Sequence, residues 1–443
     1  MTTLDASTLA IPSLGTCKLE SPLTRYNTTS PQPSVKFVTD DEKVLLEDDL
    51  ALVKETLARG EELTALEKAG PRREIFFHPA NTRAAIVTCG GLCPGLNDVI
   101  RGLTMQLFHR YGVKSIYGVR FGYEGFIPSY GHTMMQLHPE GIEIIHKLGG
   151  TILGSSRGPQ DVNAIVDQMV QLSINILFVI GGDGSLRGAL QISEKVRERG
   201  LKIAVVGIPK TIDNDIMFVD KSFGFETAFA ESVKSITAAH TEALGAINGI
   251  GLVKLMGRHS GFIACFAALA EGEANFVLIP EVPFKLEGEH GFLKQLEARL
   301  KLRKHAVIVL AEGACQDIME DEARGTDASG NTKLGDAGLF MKQKIEQYFR
   351  EQKMEINLKY IDPSYVIRSV PASPQDSVFC NRLAQNAVHA AMAGKTGMLV
   401  GRWHGNFVHL PIDLVTSGRR RVDPNGELWL SVLESTGQPP EMV

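Results

Sequence analysis

No stretch of this sequence approaches the ~20 consecutive apolar residues that a membrane-spanning helix needs. Its opening residues, MTTLDASTLAIPSLG, lack the basic flank and apolar core of an export signal. Neither a membrane partner nor export is expected; the reduced cytoplasm is. The six cysteines, at 17, 89, 93, 265, 315 and 380, include one close pair, Cys89 and Cys93, and no CxxC. Neither a disulfide framework nor a zinc site is therefore predicted. Positive charge is not in excess either: 46 Lys and Arg against 51 Asp and Glu leave a net −5. A non-specific nucleic-acid binder needs a basic footprint, so any anionic ligand must be held by locally placed cations and backbone amides.

What is present is a chain of 443 residues, 44% apolar, long enough for two or three domains with a large core. Residues 1 to about 80 read as an extension. They are Pro/Ser/Thr-rich through SPLTRYNTTSPQPS, then acidic and helix-like through DDEKVLLEDDLALVKETLARGEEL. From Arg83 onward short apolar runs alternate with helical patterns: AAIVT, SIYGV, ILFVI, IAVVGI, GLVKL, NFVLI and HAVIVLAEG. Runs without polar alternation are expected of strands covered on both faces, as in a parallel sheet. The fold class predicted is α/β.

Two glycine clusters sit where such strands turn into helices. After AAIVT comes TCGGLCPGLNDVIRGLTMQLF, with Val99, Ile100, Leu103 and Leu107 at helical spacing. After ILFVI comes GGDGSLRG, with Leu186, Ala189, Leu190 and Val196 at the same spacing. In open parallel sheets ligands bind at the carboxyl ends of the strands, where helix N-termini offer unpaired amides to anions. Glycine lets a phosphate reach that backbone. One Gly-Gly pair alone is more often structural than functional; two clusters, one bearing an acid, favour a phosphate site. Asp183 fits a magnesium ligand or a helix N-cap, and the residues alone leave both open.

Further polar chemistry gathers on later strand ends. GIPKTIDNDIMFVDKSFGFETA places Asp213 and Asp215 on one loop with Lys210, Thr211 and Asn214, and a carboxylate there can take the proton of an attacking hydroxyl. LVKLMGRHSGFIACFAALA brackets Arg258 and His259 between glycines. Arg258 offers the planar fork that a phosphoryl group in transit requires, and His259 reads as a satisfied loop residue. VLAEG puts Glu312 at another strand end, while YIDPSYVIRSVPASPQD presents Tyr365 and Arg368 three apart. Residues 313–338 are polar and glycine-rich, consistent with a loop that orders on binding or with a solvated insertion.

Taken in order, GGLCPGLNDVIR, LGSSRGP, GGDGS, PKTIDND, MGRHSGF and AEG resemble the phosphofructokinase family from about Arg83 to Trp403. The resemblance implies two Rossmann-like lobes with mainly parallel sheets and the active site in the cleft between them. It implies a donor lobe over 81–224 completed by about 368–420, a sugar-phosphate lobe over 225–367 and a tail over 421–443. The implied reaction moves the γ-phosphate of ATP to the 1-hydroxyl of fructose 6-phosphate. Carried over residue by residue, Gly91, Arg157, Gly158, Gly182, Asp183, Gly184 and Ser185 match the nucleotide-phosphate site, with Asp183 the Mg2+ ligand. Asp213 matches the general base, with Thr211 and Ile212 beside it. Met256, Gly257, Arg258, Glu312, Tyr365 and Arg368 match sugar-phosphate contacts, Arg258 also facing the transferring phosphoryl. A homotetramer is the usual assembly.

Three positions depart from the bacterial form: Leu92 replaces an acid, Tyr365 a histidine, and Gly249 an arginine that reaches a neighbouring subunit. They resemble the longer branch of plants, kinetoplastids and some bacteria. Glycine at 184 goes in this family with ATP and aspartate with pyrophosphate, while Lys210 occurs with pyrophosphate and also in the long ATP-using branch. A carboxylate at 184 would repel a nucleotide's α-phosphate, so Gly184 carries more weight. The alternatives are a pyrophosphate-dependent enzyme, a regulatory subunit, for which retention of Asp183, Asp213 and Arg258 is unexpected, or an NAD or lipid kinase sharing GGDG.

Overall fold

The computed structural model describes residues 6–28, 34–319, 325 and 333–442. Part of the polar segment anticipated as a binding loop, 320–324 and 326–332, lies outside the described residues. The apolar runs form strands where the sequence places them. In chain order the strands of the two main sheets are β1 (Arg83–Thr88), β2 (Ser115–Val119), β3 (Met135–Gln136), β4 (Ile176–Gly181), β5 (Ala204–Pro209), β6 (Gly249–Leu255), β7 (Phe276–Leu278), β8 (His305–Ala311), β9 (Asn357–Ile361), β10 (Met398–Trp403) and β11 (Asn406–Pro411). β4 and β5 are buried at every position, which is why they carry no polar alternation.

The chain forms two compact units: Met1–Thr211 with Ile216–Gly224 and Val370–Arg419, and Ile212–Asp215 with Phe225–Ser369 and Arg420–Val443. The sheet of unit 1 has the order β11-β10-β5-β4-β1-β2-β3. Its central strands run parallel, with β3 and β11 antiparallel at the edges. From β1 the chain crosses to β2 on one side, while β4 lies on the other. The carboxyl ends of β1 and β4 therefore flank a topological switch point, where open α/β sheets bind ligands. Both glycine turns leave from those two ends.

Unit 2 holds a parallel sheet of order β7-β8-β6-β9. The register pairs Leu255 with Ala311 and Val253 with Ile361, so the carboxyl ends of β6, β8 and β9 carry Met256–Arg258, Glu312 and Asp362 side by side. None of the helices of the described residues is long and apolar enough to cross a membrane.

The N-terminal residues differ from the expected extension. Leu66 and Ile75 are fully buried, and Ala69 N–H donates to the Phe407 carbonyl at 2.9 Å. Arg72 pairs with Asp40 and Glu67, each at 2.9 Å. Lys395 reaches the same two acids at 2.9 and 3.0 Å, and His409 reaches Glu67 at 2.8 Å. Burial alone would raise Glu67, yet the His409 hydrogen bond and the Lys395 charge hold its carboxyl below the ordinary glutamate value. The stretch read as one acidic helix is helical only over Leu50–Ala58. Lys43–Leu45 is a strand because it pairs with Ala65–Glu67, a tertiary contact that overrides local propensity.

Candidate active site

In unit 1, three segments converge because their parent strands are adjacent and in register. Cys89 N–H donates to Ile180 and Lys210 N–H to Gly181, at 2.9 and 3.0 Å, continuing the ladder past the strand ends. The LGSSRGP loop is tied to the first glycine turn by Ser155 Oγ on the Gly90 carbonyl (2.6 Å) and by Gly90 N–H on the Ser156 carbonyl (3.1 Å). Gly90 and Gly158 have left-handed φ of 83° and 100°, a conformation that favours glycine. Gly91, Gly158 and Gly182–Ser185 thus share one rim, with Arg157 exposed on it.

The GGDGS turn has a defined shape. Gly182 is the N-cap of the helix Asp183–Glu198 and Asp183 is its first residue, so the capping alternative for Asp183 does not hold. A Cβ on Gly181 would lie 2.3 Å from that of Ser185, whereas one on Gly184 would meet nothing within 4 Å. Gly181 is needed by the fold; Gly184 faces open space. The helix buries Leu186, Ala189, Ile192 and Val196, with Leu190 only partly covered. Tyr123 holds its first turn through a 2.6 Å bond to the Ser185 carbonyl. Lys210 donates from Nζ to the Gly91 carbonyl at 2.8 Å, placing an ammonium at the same rim. Thr211 follows, its carbonyl accepting from Ser222 Oγ at 2.6 Å.

Unit 2 builds its cluster by close backbone approach. Glu312 N–H donates to Leu255 (2.9 Å) and Gly313 N–H to Gly257 (3.0 Å). A Cβ on Gly313 would sit 2.1 Å from the Arg258 carbonyl oxygen, so only glycine brings the MGR and AEG turns together. Ser260 Oγ donates to the Asp213 carbonyl at 3.0 Å, which pins the TIDND loop, with its buried Ile212, to the MGRHS loop. Arg368 lies over the Tyr365 ring, 4.7 Å from its centroid, and Tyr365 is 74% exposed. Gly249, where an arginine occurs in the bacterial form, has no room for a side chain: a Cβ would fall 2.1 Å from the Ala243 carbonyl oxygen.

Lys254 belongs to none of the sequence motifs of the site. Its ammonium sits 2.7 Å from Asp362 and 3.6 Å from Asp336, while Asp336 caps the helix Ala337–Glu351 through Gly338 and Leu339 N–H. Lys254 thereby ties β6, two residues before Met256, to the segment leading to Tyr365 and Arg368. A lysine inside the apolar run GLVKL was the available signal.

Burial pushes Glu312 above the ordinary glutamate value, opposed by the charges of Arg258, Lys254 and Arg368. The folded state thus binds a proton more readily than the unfolded chain. Stability is lost as pH rises from the ordinary glutamate value through the raised one, and the penalty persists at neutral pH. Glu312→Gln is expected to melt higher than wild type at pH 7 to 8, with the difference vanishing below the ordinary glutamate range. Melting curves against pH check this; equal curves throughout would remove the stored cost.

Glycine turns at the switch point of one parallel sheet, and a cationic and acidic cluster on the strand ends of another, define an α/β protein that handles phosphorylated ligands. Residues 83–391 match the phosphofructokinase family. The chain is 50% identical over 440 residues to the ATP-dependent 6-phosphofructokinase of Borreliella burgdorferi, covering 98% of this chain and 97% of that one. It is 49% identical over 445 residues to the protein of that name in Amycolatopsis methanolica, covering 99% and 96%. The Trypanosoma brucei brucei protein is 48% identical over 373 residues, 84% of this chain and 76% of that one. A pyrophosphate-dependent phosphofructokinase from Nitrosospira multiformis shares the fold, with TM-score 0.66 and 19% identity over 81% of this chain and 93% of that one. The chain belongs to the phosphofructokinase family.

Proposed function

We propose that the chain is an ATP-dependent 6-phosphofructokinase, transferring the γ-phosphate of ATP to the 1-hydroxyl of fructose 6-phosphate. The carrying observation is near-half identity over almost the whole chain to two proteins of that name, and the open space at Gly184 agrees with a nucleotide donor. Gly91, Arg157, Gly158 and the 182–185 turn hold the polyphosphate with backbone amides and one guanidinium. Asp183, a lone carboxylate at that turn, fits magnesium, which takes one or two protein carboxylates and completes its shell with water and phosphate oxygens. Among the described residues no group of three or more His, Cys, Asp or Glu gathers to hold a metal by itself. Bound with the polyphosphate, the ion neutralises charge on the phosphates.

Asp213 accepts the proton of the attacking hydroxyl, and Thr211 and Ile212 shape the loop that presents it. Arg258 stabilises the phosphoryl group in transit, while Met256, Gly257, Glu312, Tyr365 and Arg368 hold the sugar phosphate. Arg258→Ala should raise the sugar-phosphate KM and lower turnover together. Arg258→Lys should restore only part, because it keeps the charge and loses the planar fork. An alanine variant with both constants unchanged would make Arg258 structural.

A coupled assay with fructose 6-phosphate, magnesium and either ATP or pyrophosphate tests the whole reading. Turnover with ATP supports it, preference for pyrophosphate replaces the donor, and no turnover with either overturns it. A homotetramer in the cytoplasm is proposed on the resemblance alone, with light scattering to read the assembly.

A further inference from the structure

The tract Gly418-Arg-Arg-Arg-Val422 lies outside the glycine-turn and strand-end motifs, and its arginines have separate fates. Arg420 lies over the Phe262 ring at 4.7 Å and Arg421 contributes its charge near Glu281, both within unit 2. Arg419 belongs to unit 1, where its guanidinium lies 3.2 Å from Asp183 Oδ2; the two side chains are 30% and 13% exposed.

The fold puts it there. The short helix Ile412–Val415 packs on the helix Asp183–Glu198, and Arg187 of that helix donates to the Thr416 carbonyl at 3.3 Å. Asp183 and Arg187 are four apart, so they share one helix face. Residues 416–419 therefore run along this face toward the open N-terminal turn and deliver a guanidinium to its rim.

Asp183 then has two positive neighbours, the helix N-terminus and Arg419. A helix N-terminus and a guanidinium side by side suit a multiply charged anion. A magnesium ion drawn to Asp183 would repel the guanidinium and free it, and the polyphosphate arriving with the ion offers oxygens in the forked geometry arginine prefers.

We propose that Arg419 is a donor-binding residue that exchanges partners, pairing with Asp183 in the free protein and with donor phosphate oxygens when the metal–nucleotide complex binds. The inference rests on reading the 181–185 turn as the donor site.

Calorimetry with the full chain and the non-hydrolysable analogue AMP-PNP separates the two. With magnesium, Arg419→Ala should bind the analogue about 10- to 50-fold more weakly than wild type, and Arg419→Lys should recover part of the loss. In EDTA the Arg419→Ala loss should be smaller, since Asp183 then retains the guanidinium. The fructose 6-phosphate KM should stay within about threefold, and unfolding temperatures confirm that both variants are folded. An alanine variant that binds the magnesium complex as tightly as wild type, or more tightly, overturns the proposal and leaves Arg419 a counter-ion of Asp183. If wild type does not bind the magnesium complex at all, the donor-site reading falls and this inference with it.

Discussion

Replacing Asp213 with Asn lowers turnover about 10²- to 10⁴-fold, while nucleotide affinity stays within about threefold. The loss corresponds to ~3 to 5 kcal/mol of barrier at about 1.4 kcal/mol per decade. The backbone of the loop is held by groups other than the Asp213 carboxylate as well. Ser260 holds the Asp213 backbone carbonyl, Asn214 takes the left-handed turn at φ 55°, and Arg420 N–H holds the Asp215 carbonyl at 2.9 Å. Asparagine matches aspartate in volume and cannot accept the hydroxyl proton. Turnover at saturating substrates, with nucleotide affinity measured by calorimetry, reads the two effects separately. A variant with near-normal turnover would exclude the role, and one that loses nucleotide affinity equally would make Asp213 a binding group.

Gly184→Asp should abolish most ATP use. A Cβ at 184 meets no protein atom within 4 Å and its φ is not left-handed, so the new side chain is tolerated by the fold and its charge falls on the ligand. Two unit charges ~4 Å apart repel by roughly 4 kcal/mol at an effective dielectric of about 20. That corresponds to several hundred-fold or more in affinity before relaxation. Pyrophosphate has no α-phosphate or nucleoside to repel, and the Lys210 ammonium is already fixed at the rim by the Gly91 carbonyl. A weak pyrophosphate-dependent activity is expected to survive or emerge. Steady-state rates with both donors, on wild type and variant, decide it. A variant using ATP unimpaired, or a wild type preferring pyrophosphate, would show that Gly184 does not set the donor.

The sequence by itself determined the features that depend on near neighbours. ILFVI and AVVGI announce strands covered on both faces because such strands carry no alternation. The glycine turns after AAIVT and ILFVI are legible because a backbone that bends sharply from strand to helix restricts residue types locally. Asp183, Asp213 and Arg258 stand out for the same reason, each being a charge that its turn does not need.

Tertiary structure decided what depends on strand order and register. Only the register of β4 against β1 and β5 shows that the 89–91, 182–185 and 210 segments share a rim. Lys254 reaches Asp362 because β9 pairs with β6, and Arg419 reaches Asp183 because the chain returns along a helix 229 residues earlier. The N-terminal residues looked separable because the partners of their charges lie up to 355 residues away. Hydrophobic periodicity records which face of an element is buried. It carries no information on which distant element covers that face, and it is there that Asp40 and Glu67 find Lys395 and His409.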